Sequence, residues 1–443
     1  MTTDTTQDSA TVHVIGAGLA GLAAAIALVS RGRAVALYDA APQAGGRCRS
    51  LYEPTLKRRI DNGNHLILGG NARCLAYLET IGARDRLTGA ARPAFPFLDL
   101  ASGARWTLRP GRGPIPLWLL DPRRRAPGTR PRDYLATLRR LARAEAATTV
   151  AEALGDVEPL FSRFWEPLAV AVLNTAAEEG AAALLRPVVA RVFGGGAKAA
   201  QAFVAREGLS DCFIDPALAW LAARGCTPRL GARLRAIERG DGRVRRLDFG
   251  DGESVALAPD DMVILAVPPA NLARLLPGVV VPRESRAIVN AHFRLDRPPA
   301  EQPEGAPFMG LIGGAAQWLF LRGDVASVTV SAADALADRP ADEIAERLWA
   351  DVARALGLAT GPPPPYRIVK ERRATFAQTP TEVARRAPAR GEIGNLFLAG
   401  DWTDTGLPAT IEGAIVSGET AAGLALGGDR NRIAPLPSTP QPS

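Results

Sequence analysis

The sequence predicts an α/β protein whose parallel-sheet domain is assembled from separated segments, with a second, α+β domain inserted between them. A strand–loop–helix–strand pattern occupies residues 11–49, and a strand–loop–helix pattern occupies residues 395–426. In both, a short apolar run precedes a Gly-containing loop and an Ala-rich helix, as expected for buried parallel strands. The 443 residues are enough for roughly two or three domains and a large core.

The N-terminal pattern is that of a βαβ unit. Residues 12–15 are apolar, Gly16, Gly18 and Gly21 follow at GxGxxG spacing, and an Ala/Leu-rich helix is expected over 19–30. In such a unit the first Gly makes a tight turn, the second lets a diphosphate approach the backbone, and the third lets the helix pack closely on the strand. The free N–H groups and positive dipole end of the helix face the phosphates. The unit therefore predicts a dinucleotide site.

A second strand, over 34–38, ends at Asp39. An acid about twenty residues beyond the glycines accepts hydrogen bonds from an adenosine ribose and disfavours the 2′-phosphate of NADP. The alternative is an Ala/Gly-rich turn in another kind of α/β protein. Gly45, Gly46 and Arg47 then form a second Gly-rich loop that can close over a diphosphate, with a guanidinium to neutralise it. This second loop favours FAD over NAD.

Residues 59–70 combine a turn with an expected strand. Asp61 opens the turn, and the strand is expected to begin at His65. Asp61 is interpreted either as a site residue or as a turn residue that bonds its own backbone. His65 is either a site residue or a core histidine with satisfied hydrogen bonds.

A short apolar run over 117–120 lies directly beside Arg123, Arg124 and Arg125, in a segment rich in Arg, Pro and Gly. An apolar tip next to cations can enter a membrane interface while the cations hold lipid headgroups. The alternative is a loop that packs against its own domain beside a solvated charge run. The sequence leaves both interpretations open.

Two helices are expected over 133–150 and 157–173, with a kink at Pro167 because Pro removes a helix hydrogen bond. A broad apolar face on the second helix is usually part of a core, although it could also wall a cavity for an apolar chain. The glycines within 192–197 then predict a flexible joint. The candidate cavity residues on the apolar face are Phe161, Trp165, Leu168 and Leu173.

The C-terminal pattern is expected to complete the cofactor site. A strand over 396–399 ends at Gly400 and Asp401, and a helix follows over 410–426. Asp401 can accept hydrogen bonds from ribityl hydroxyls, and the helix can point its dipole at the flavin N1–O2 edge, where reduction places negative charge. The alternative is an Asp at a strand end followed by a helix that Thr410 caps.

Bulk composition limits the other possibilities. The formal net charge of +7 fits either generic solubility or attraction to an anionic membrane surface, and no nucleic-acid motif accompanies it. Four cysteines without CxxC spacing predict free thiols in a reducing cytoplasm, with no metal site. The N-terminus is unlike a secretory signal, and the longest apolar run is too short to span a bilayer. We therefore expect a cytoplasmic protein, soluble or peripheral at the inner membrane.

The two Gly-rich loops resemble the FAD superfamily of amine oxidases and phytoene desaturases. Four longer motifs, DNGNHLILGG, FWEPLAVAVLNT, RRATFAQTP and LAGDWTDTGLPATIEGAIVSG, follow in this order. Together they resemble the squalene-associated FAD-dependent desaturases, the family of hydroxysqualene dehydroxylases in bacterial hopanoid biosynthesis. The resemblance extends from Val12 to about Leu426.

This resemblance implies a Rossmann-like FAD-binding domain of the glutathione-reductase type. The FAD should be held non-covalently, because no cysteine follows Cys226. Backbone groups near Leu234 would meet the adenine. The implied FAD-binding domain comprises residues 11–75, 225–275 and 390–427, the α+β substrate-binding domain comprises 76–224 and 276–389, and residues 1–10 and 428–443 are disordered tails.

The implied activity is reductive removal of the hydroxyl group of hydroxysqualene to give squalene. An acid would protonate the leaving hydroxyl, reduced flavin N5 would deliver a hydride to the allylic carbon, and an apolar tunnel would exclude water. The alternatives are a carotenoid or other isoprenoid desaturase, an amine oxidase-like flavoenzyme, and a non-catalytic isoprenoid-binding escort. The expected partners are a long-chain isoprenoid, an unknown electron donor and a membrane surface, with no nucleic acid.

The candidate residues fall into two groups. The candidate acids are Asp61, His65 and Glu412. The candidate FAD-binding residues are Gly16, Gly18, Leu19, Ala20, Gly21, Asp39, Gly45, Gly46, Arg47, Gly63, Leu234, Gly400, Asp401, Thr410, Ile411 and Gly413.

Overall fold

A computed structural model describes residues 10–113, 115–250, 252–299, 305–359 and 361–428. The tails expected at 1–10 and 428–443 lie outside these ranges, apart from residues 10 and 428. No helix in these ranges is both long and apolar enough to cross a bilayer.

The strands and helices alternate through the first and last parts of the chain, and strands dominate the middle. The strands are β1 (Thr11–Ile15), β2 (Ala34–Tyr38), β3 (Ser50–Glu53), β4 (Arg58–Asp61), β5 (Ile67–Leu68), β6 (Leu87–Thr88), β7 (Phe95–Asp99), β8 (Arg105–Leu108), β9 (Ala202–Ala205), β10 (Leu234–Gly240), β11 (Arg243–Phe249), β12 (Ser254–Ala256), β13 (Met262–Leu265), β14 (Ser285–Arg294), β15 (Phe308–Ile312), β16 (Trp318–Arg322), β17 (Val325–Val330), β18 (Tyr366–Phe376) and β19 (Leu396–Leu398). The helices are α1 (Leu19–Val29), α2 (Ala72–Thr80), α3 (Pro131–Arg143), α4 (Val150–Leu154), α5 (Glu166–Leu173), α6 (Ala182–Gly194), α7 (Gly196–Ala200), α8 (Asp215–Ala222), α9 (Pro269–Leu275), α10 (Asp334–Ala337), α11 (Ala341–Leu356), α12 (Pro380–Val383) and α13 (Ile411–Ala425).

A four-stranded parallel sheet joins the two ends of the chain. Its strand order is β19-β13-β1-β2, and each neighbouring pair is parallel. Helices α1 and α13 pack directly on one another, so closely that a Cβ on Gly418 would lie 2.0 Å from the carbonyl oxygen of Ala20. The sheet confirms the prediction that the N- and C-terminal units belong to one α/β body.

The chain also forms a mixed seven-stranded sheet, in the order β18-β14-β17-β16-β15-β7-β8. All of its pairs are antiparallel except β15 with β7. The buried face of α11, including Ile344, Leu348 and Val352, packs into the same core cluster as this sheet. The division of the chain into two domains at the expected boundaries stays a prediction.

Three sequence-based expectations need correction. The strand expected to begin at His65 contains only Ile67–Leu68, and the helix expected over 133–150 ends at Arg143. The joint expected within 192–197 is helical instead, since α6 runs to Gly194 and α7 begins at Gly196. The glycines there allow close packing: a Cβ on Gly195 would lie 2.3 Å from the Ala199 side chain.

The helix changes geometry just before Pro167, whereas the kink expected there stays a prediction. A π-helical turn, Phe161–Trp165, precedes α5, which begins at Glu166 with Pro167 in its first turn. The π-helical turn runs directly into α5, so Pro167 lies close to the point where one helical geometry changes to another.

Candidate active site

The first Gly-rich loop leaves an open cradle at the N-terminus of α1. Gly16 has φ +112°, and a Cβ there would lie 2.3 Å from the carbonyl oxygen of Ala266. A Cβ on Gly21 would lie 1.7 Å from the carbonyl oxygen of Gly16, whereas a Cβ on Gly18 would meet nothing within 4 Å. Two of the glycines are therefore required by packing. The space over Gly18, at the positive end of a helix, fits a diphosphate.

The second Gly-rich loop closes against the first. The Gly45 N–H donates to the Ala17 carbonyl at 2.8 Å, and Gly18 and Gly45 form a parallel bridge. Gly45 and Gly46 have φ values of +107° and +57°, which other residues rarely adopt. The two loops therefore form one continuous backbone surface, as the cofactor proposal requires.

Asp39 has a role that the spacing argument did not foresee. Its Oδ2 accepts from the Ala17 N–H at 2.6 Å, and its Oδ1 accepts from the Ala41 N–H at 2.8 Å. The carboxylate thus braces the first loop against the turn after β2. Each oxygen retains a lone pair for a ribose hydroxyl.

Arg47 joins the two ends of the chain. Its guanidinium donates to Asp401 Oδ1 at 2.8 Å and to the carbonyl oxygen of Ala374 in β18. The charge of the nearly buried Asp401 carboxylate raises the pKa of Arg47. The sequence predicts this guanidinium at a diphosphate and Asp401 at ribityl hydroxyls. In the structure the two side chains bond each other, so those assignments remain proposals.

The C-terminal loop is held by its own contacts. Gly400 has φ +142°, and a Cβ there would lie 2.5 Å from Trp402 Nε1, which itself donates to the Val267 carbonyl at 3.0 Å. Thr410 caps α13, its Oγ1 accepting from the Gly413 N–H at 3.1 Å. The helix start therefore has the cap that the sequence suggested.

Buried Arg386 was missed by the sequence analysis. Its guanidinium donates to the carbonyl oxygens of Asp401, Thr403 and Leu407, and thereby holds the loop between β19 and α13. Burial lowers its pKa. Nothing in the local sequence indicates this role, because the bonds go to backbone groups fifteen or more residues away.

Other predicted cofactor residues are placed as follows. Leu19 and Ala20 are buried in the first turn of α1, and Ile411 is buried in the first turn of α13. Leu234 is buried at the start of β10, shortly after Arg229 pairs with the end of β2. The structure thus places Leu234 near the nucleotide unit.

A buried amide network positions the loop after β4. Asn64 Nδ2 donates to Thr329 Oγ1 at 3.0 Å, and Thr329 donates to Asn290 Oδ1 at 2.7 Å. Asn290 Nδ2 donates in turn to the Asn62 carbonyl at 3.1 Å, and a Cβ on Gly63 would approach Asn290 Nδ2 to 3.4 Å. The network ties this loop to β14 and β17 of the seven-stranded sheet. Short polar residues spread over the chain gave no sequence signal for it.

Asp61, the first candidate acid, is fully engaged. Its Oδ1 accepts from Ser50 Oγ at 2.5 Å and from the Leu209 N–H at 2.9 Å, and its Oδ2 accepts from Arg322 Nη1 at 2.7 Å. The side chain is nearly inaccessible. A buried carboxylate with both oxygens accepting and a guanidinium partner has no proton to give.

Glu412, the second candidate, caps a neighbouring helix. Its carboxylate accepts from the backbone N–H groups of Arg73 and Cys74 at the start of α2, at 3.2 and 2.8 Å. Burial raises its pKa, and these hydrogen bonds with nearby Arg191 partly offset that effect. The position is suited to holding α2 on α13.

We predict that Glu412→Gln retains activity and changes stability in a pH-dependent way. Because the pKa is raised in the folded protein, the wild type binds a proton on folding and gains stability relative to the variant as pH falls from 7 toward the unfolded value near 4.5. At pH 7 the weaker cap should alter the free energy of unfolding by about 1 kcal/mol. Urea unfolding of both proteins at pH 7 and at about pH 5 checks this; a difference that does not vary with pH contradicts it.

His65, the third candidate, is half-buried and makes no hydrogen bond or ion pair with the residues that the structure describes. Burial lowers its pKa; the charge of Asp61 raises it and that of Arg47 lowers it further. The imidazole therefore responds to the charge of Arg47, which is paired with Asp401. Of the three candidates, it alone has a side chain free for proton transfer.

The candidate cavity residues divide into two classes. Trp165 and Leu173 are completely buried, and Trp165 Nε1 donates to Thr137 Oγ1 at 3.1 Å. Phe161 and Leu168 are half-buried. A small apolar pocket, partly open to solvent, reaches Trp165. Its lining is Pro116, Trp118, Leu119, Tyr134, Leu138, Phe164 and Trp165.

Comparisons with known proteins agree with this arrangement. The profile of the family described as flavin containing amine oxidoreductase matches residues 19–426. Hydroxysqualene dehydroxylases from Rhodopseudomonas palustris and Sinorhizobium fredii are 46% and 45% identical, covering 95% and 94% of this chain and 100% and 98% of their own lengths. Among solved structures, cyclohexylamine oxidase from Brevibacterium oxydans shares the fold, with a TM-score of 0.69, 17% identity, and coverage of 95% of this chain and 99% of its own.

The flavin family and the relatives establish FAD as the cofactor of this oxidoreductase, and the open space over Gly18 is compatible with it. The chain belongs to the flavin containing amine oxidoreductase family and, within it, to the hydroxysqualene dehydroxylases.

Proposed function

We propose that this protein removes the hydroxyl group of hydroxysqualene and replaces it with hydrogen, giving squalene and water. The observation that carries the proposal is the 46% identity to a hydroxysqualene dehydroxylase over 95% of the chain. The meeting of the two Gly-containing units around one cradle supports it. Reduced FAD, when bound, supplies the hydride at N5.

The reaction also needs one proton, because a hydroxyl is a poor leaving group unless it departs as water. We propose that His65 provides this proton. Its side chain is free, whereas Asp61 accepts three hydrogen bonds and Glu412 caps α2. The loop that carries His65 is fixed by the bonds among Asn64, Thr329 and Asn290, so the imidazole can be held in one position. An apolar surrounding would keep water away from the developing allylic cation.

We predict that His65→Gln slows single-turnover conversion of hydroxysqualene by pre-reduced enzyme about 100-fold. In the wild type the rate should rise as pH falls, and the rise should continue below pH 6.5, because burial lowers the His65 pKa and only the imidazolium donates. The charged groups acting on the ring are Asp61 and Arg47. In the variant this pH dependence should disappear.

FAD content and the flavin absorption spectrum serve as controls in that experiment. Both should match the wild type in His65→Gln, since the proposed role is proton transfer. A variant with the wild-type rate and pH profile would exclude His65 as the donor.

Product analysis tests the overall function. Anaerobic incubation of reduced holoenzyme with hydroxysqualene should consume the substrate and yield squalene in equal amount, with reoxidation of the flavin. Conversion of a carotenoid precursor by oxidised enzyme, without any squalene formation, would indicate a desaturase. Bound FAD that cannot be reduced and reoxidised would indicate an escort protein.

We further propose that the physiological partners are a long-chain isoprenoid, a separate electron donor and the inner membrane surface. The sequence contains one GxGxxG motif in a βαβ context, at residues 16–21, which is assigned to FAD, so electrons should come from another molecule. The substrate is apolar and concentrates in bilayers, which favours an enzyme that works at the membrane surface.

A further inference from the structure

The segment 105–143, here called the basic tip, exposes apolar side chains in a cluster. Ile115, Leu117 and Leu120 are 67%, 67% and 68% exposed, whereas Trp118 and Leu119 between them are 5% and 3% exposed. The 3₁₀ turn Leu117–Leu120 thus packs one side against the protein and presents the other to solvent. The turn therefore packs against its own domain through Trp118 and Leu119, as one interpretation of the sequence expected, and the membrane interpretation stays a prediction for the exposed residues. Scattered exposed apolar residues are ordinary, but a cluster of three within six positions indicates an interaction surface.

The basic tip also concentrates the charge of the chain. It contains eleven Arg and two acidic residues, a formal net charge of +9, whereas the whole chain carries only +7. The remainder of the protein is thus slightly acidic. A surface with this asymmetry attracts a polyanionic partner through this one region.

Several arginines of the basic tip are not neutralised by carboxylates in the described part of the chain. Arg124 donates to the carbonyl oxygens of Arg109 and Pro110, and Arg125 donates to those of Leu119 and Thr129. These bonds fix the loop without neutralising its charge. The exposed side chains of Arg112, Arg123 and Arg130 form no hydrogen bond or ion pair within the described part of the chain. Their guanidiniums are free to bind phosphates.

The buried side of the same turn walls the apolar pocket. Trp118 and Leu119 line it together with Phe164 and Trp165, the latter a candidate cavity residue. The exposed leucines and the pocket are therefore on opposite sides of a single turn.

We propose that the basic tip docks on a lipid bilayer with anionic headgroups, with Ile115, Leu117 and Leu120 in the interface and the arginines on the phosphates. Apolar side chains flanked by cations match such an interface. The apolar side chains enter the boundary of the acyl chains, and the cations bind the headgroup phosphates. The effect of docking on turnover rests on the proposed function, whereas the docking itself does not.

Vesicle co-sedimentation of the full-length holoenzyme tests the docking. The wild type should bind vesicles of equal phosphatidylcholine and phosphatidylglycerol, bind pure phosphatidylcholine much less, and be released by about 0.5 M salt. Leu117→Ser with Leu120→Ser should lower the partition coefficient about 100-fold, since burying each leucine contributes roughly tenfold. The matched control is Tyr52→Ser, because Tyr52 is 65% exposed and lies outside the basic tip. This variant should bind as the wild type.

Charge removal provides the second arm. Arg112→Gln, Arg123→Gln and Arg130→Gln together should weaken binding to the anionic vesicles by at least about tenfold, at roughly fivefold per headgroup contact with incomplete additivity. The control removes three exposed arginines from another element, as Arg233→Gln, Arg235→Gln and Arg239→Gln in and beside β10. Equal losses in both triple variants would show that only net charge matters and would overturn the assigned surface.

Two further results separate this proposal from the proposed function. With hydroxysqualene dispersed in detergent, the Leu117→Ser, Leu120→Ser variant should turn over at the wild-type rate, and with substrate in vesicles it should be slower. No turnover in detergent by the wild type, with vesicle binding intact, would reject the reaction and leave the docking. Failure of the wild type to bind anionic vesicles would reject the docking. Formation of wild-type dimers that the leucine variant does not form would instead indicate a protein partner at this surface.

Discussion

Gly21→Ala is expected to lower the free energy of unfolding by at least about 3 kcal/mol and to abolish FAD binding. The new Cβ would lie 1.7 Å from the carbonyl oxygen of Gly16 and 3.3 Å from the Ala266 side chain. The nearest obstacle is backbone at the junction of β1 and α1, so it cannot rotate away as a side chain could. Relief would require moving α1 off the parallel sheet, which would also disturb its contact with α13.

Gly18→Ala should behave differently, although the two glycines belong to the same motif. A Cβ there meets nothing within 4 Å, so the protein should fold with nearly wild-type stability. The methyl group would occupy the space assigned to the diphosphate. Losing one hydrogen bond to a charged phosphate corresponds to about tenfold or more in affinity, so FAD should bind at least about tenfold more weakly.

Thermal and urea unfolding of the apoproteins, with FAD titration of each, measures this contrast. Gly391→Ala is the matched control, because a Cβ there also meets nothing within 4 Å and the residue lies outside both loops. It should change neither quantity. Wild-type FAD affinity in Gly18→Ala would show that the cofactor does not lie over this residue.

Asp61→Asn is expected to destabilise the protein by about 3 kcal/mol and to lower the rate per folded molecule only through the His65 pKa, which the Asp61 charge raises. The side chain accepts from Ser50 and Leu209 through one oxygen and from Arg322 through the other. An amide can retain one acceptor, but its NH₂ group would then face the Arg322 guanidinium, donor against donor. The half-buried Arg322 guanidinium would lose its counter-charge.

A double-mutant cycle with Arg322→Met tests this interpretation. Each single change leaves a partner unpaired, so the double variant should lose clearly less stability than the sum of the two. If Asp61 were the proton donor, Asp61→Asn would instead lose about 100-fold in the rate per FAD-loaded molecule. A rate loss of that size with little change in stability would restore Asp61 as the acid and argue against His65.

The candidate site could be predicted from the sequence where its parts are local. The GxGxxG loop, Gly45–Gly46 and the capped start of α13 each follow from residues close together in the chain, since turns, positive φ values and caps depend on neighbouring backbone. The family resemblance added the cofactor and the reaction. Helix limits were less accurate, and α6 and α7 replaced an expected joint because glycine there serves helix packing.

The sequence by itself determined the α/β fold, the flavin family and the backbone geometry of the two Gly-containing units, because those motifs encode local backbone geometry. Only the tertiary structure decided the roles of the charged side chains. Arg47 meets Asp401, Asp61 meets Arg322, and Glu412 meets the start of α2, each through contacts between residues more than 250 positions apart. Whether a carboxyl group donates a proton, pairs with a guanidinium or caps a helix depends on the residues that surround it in space. No local sequence pattern records those surroundings.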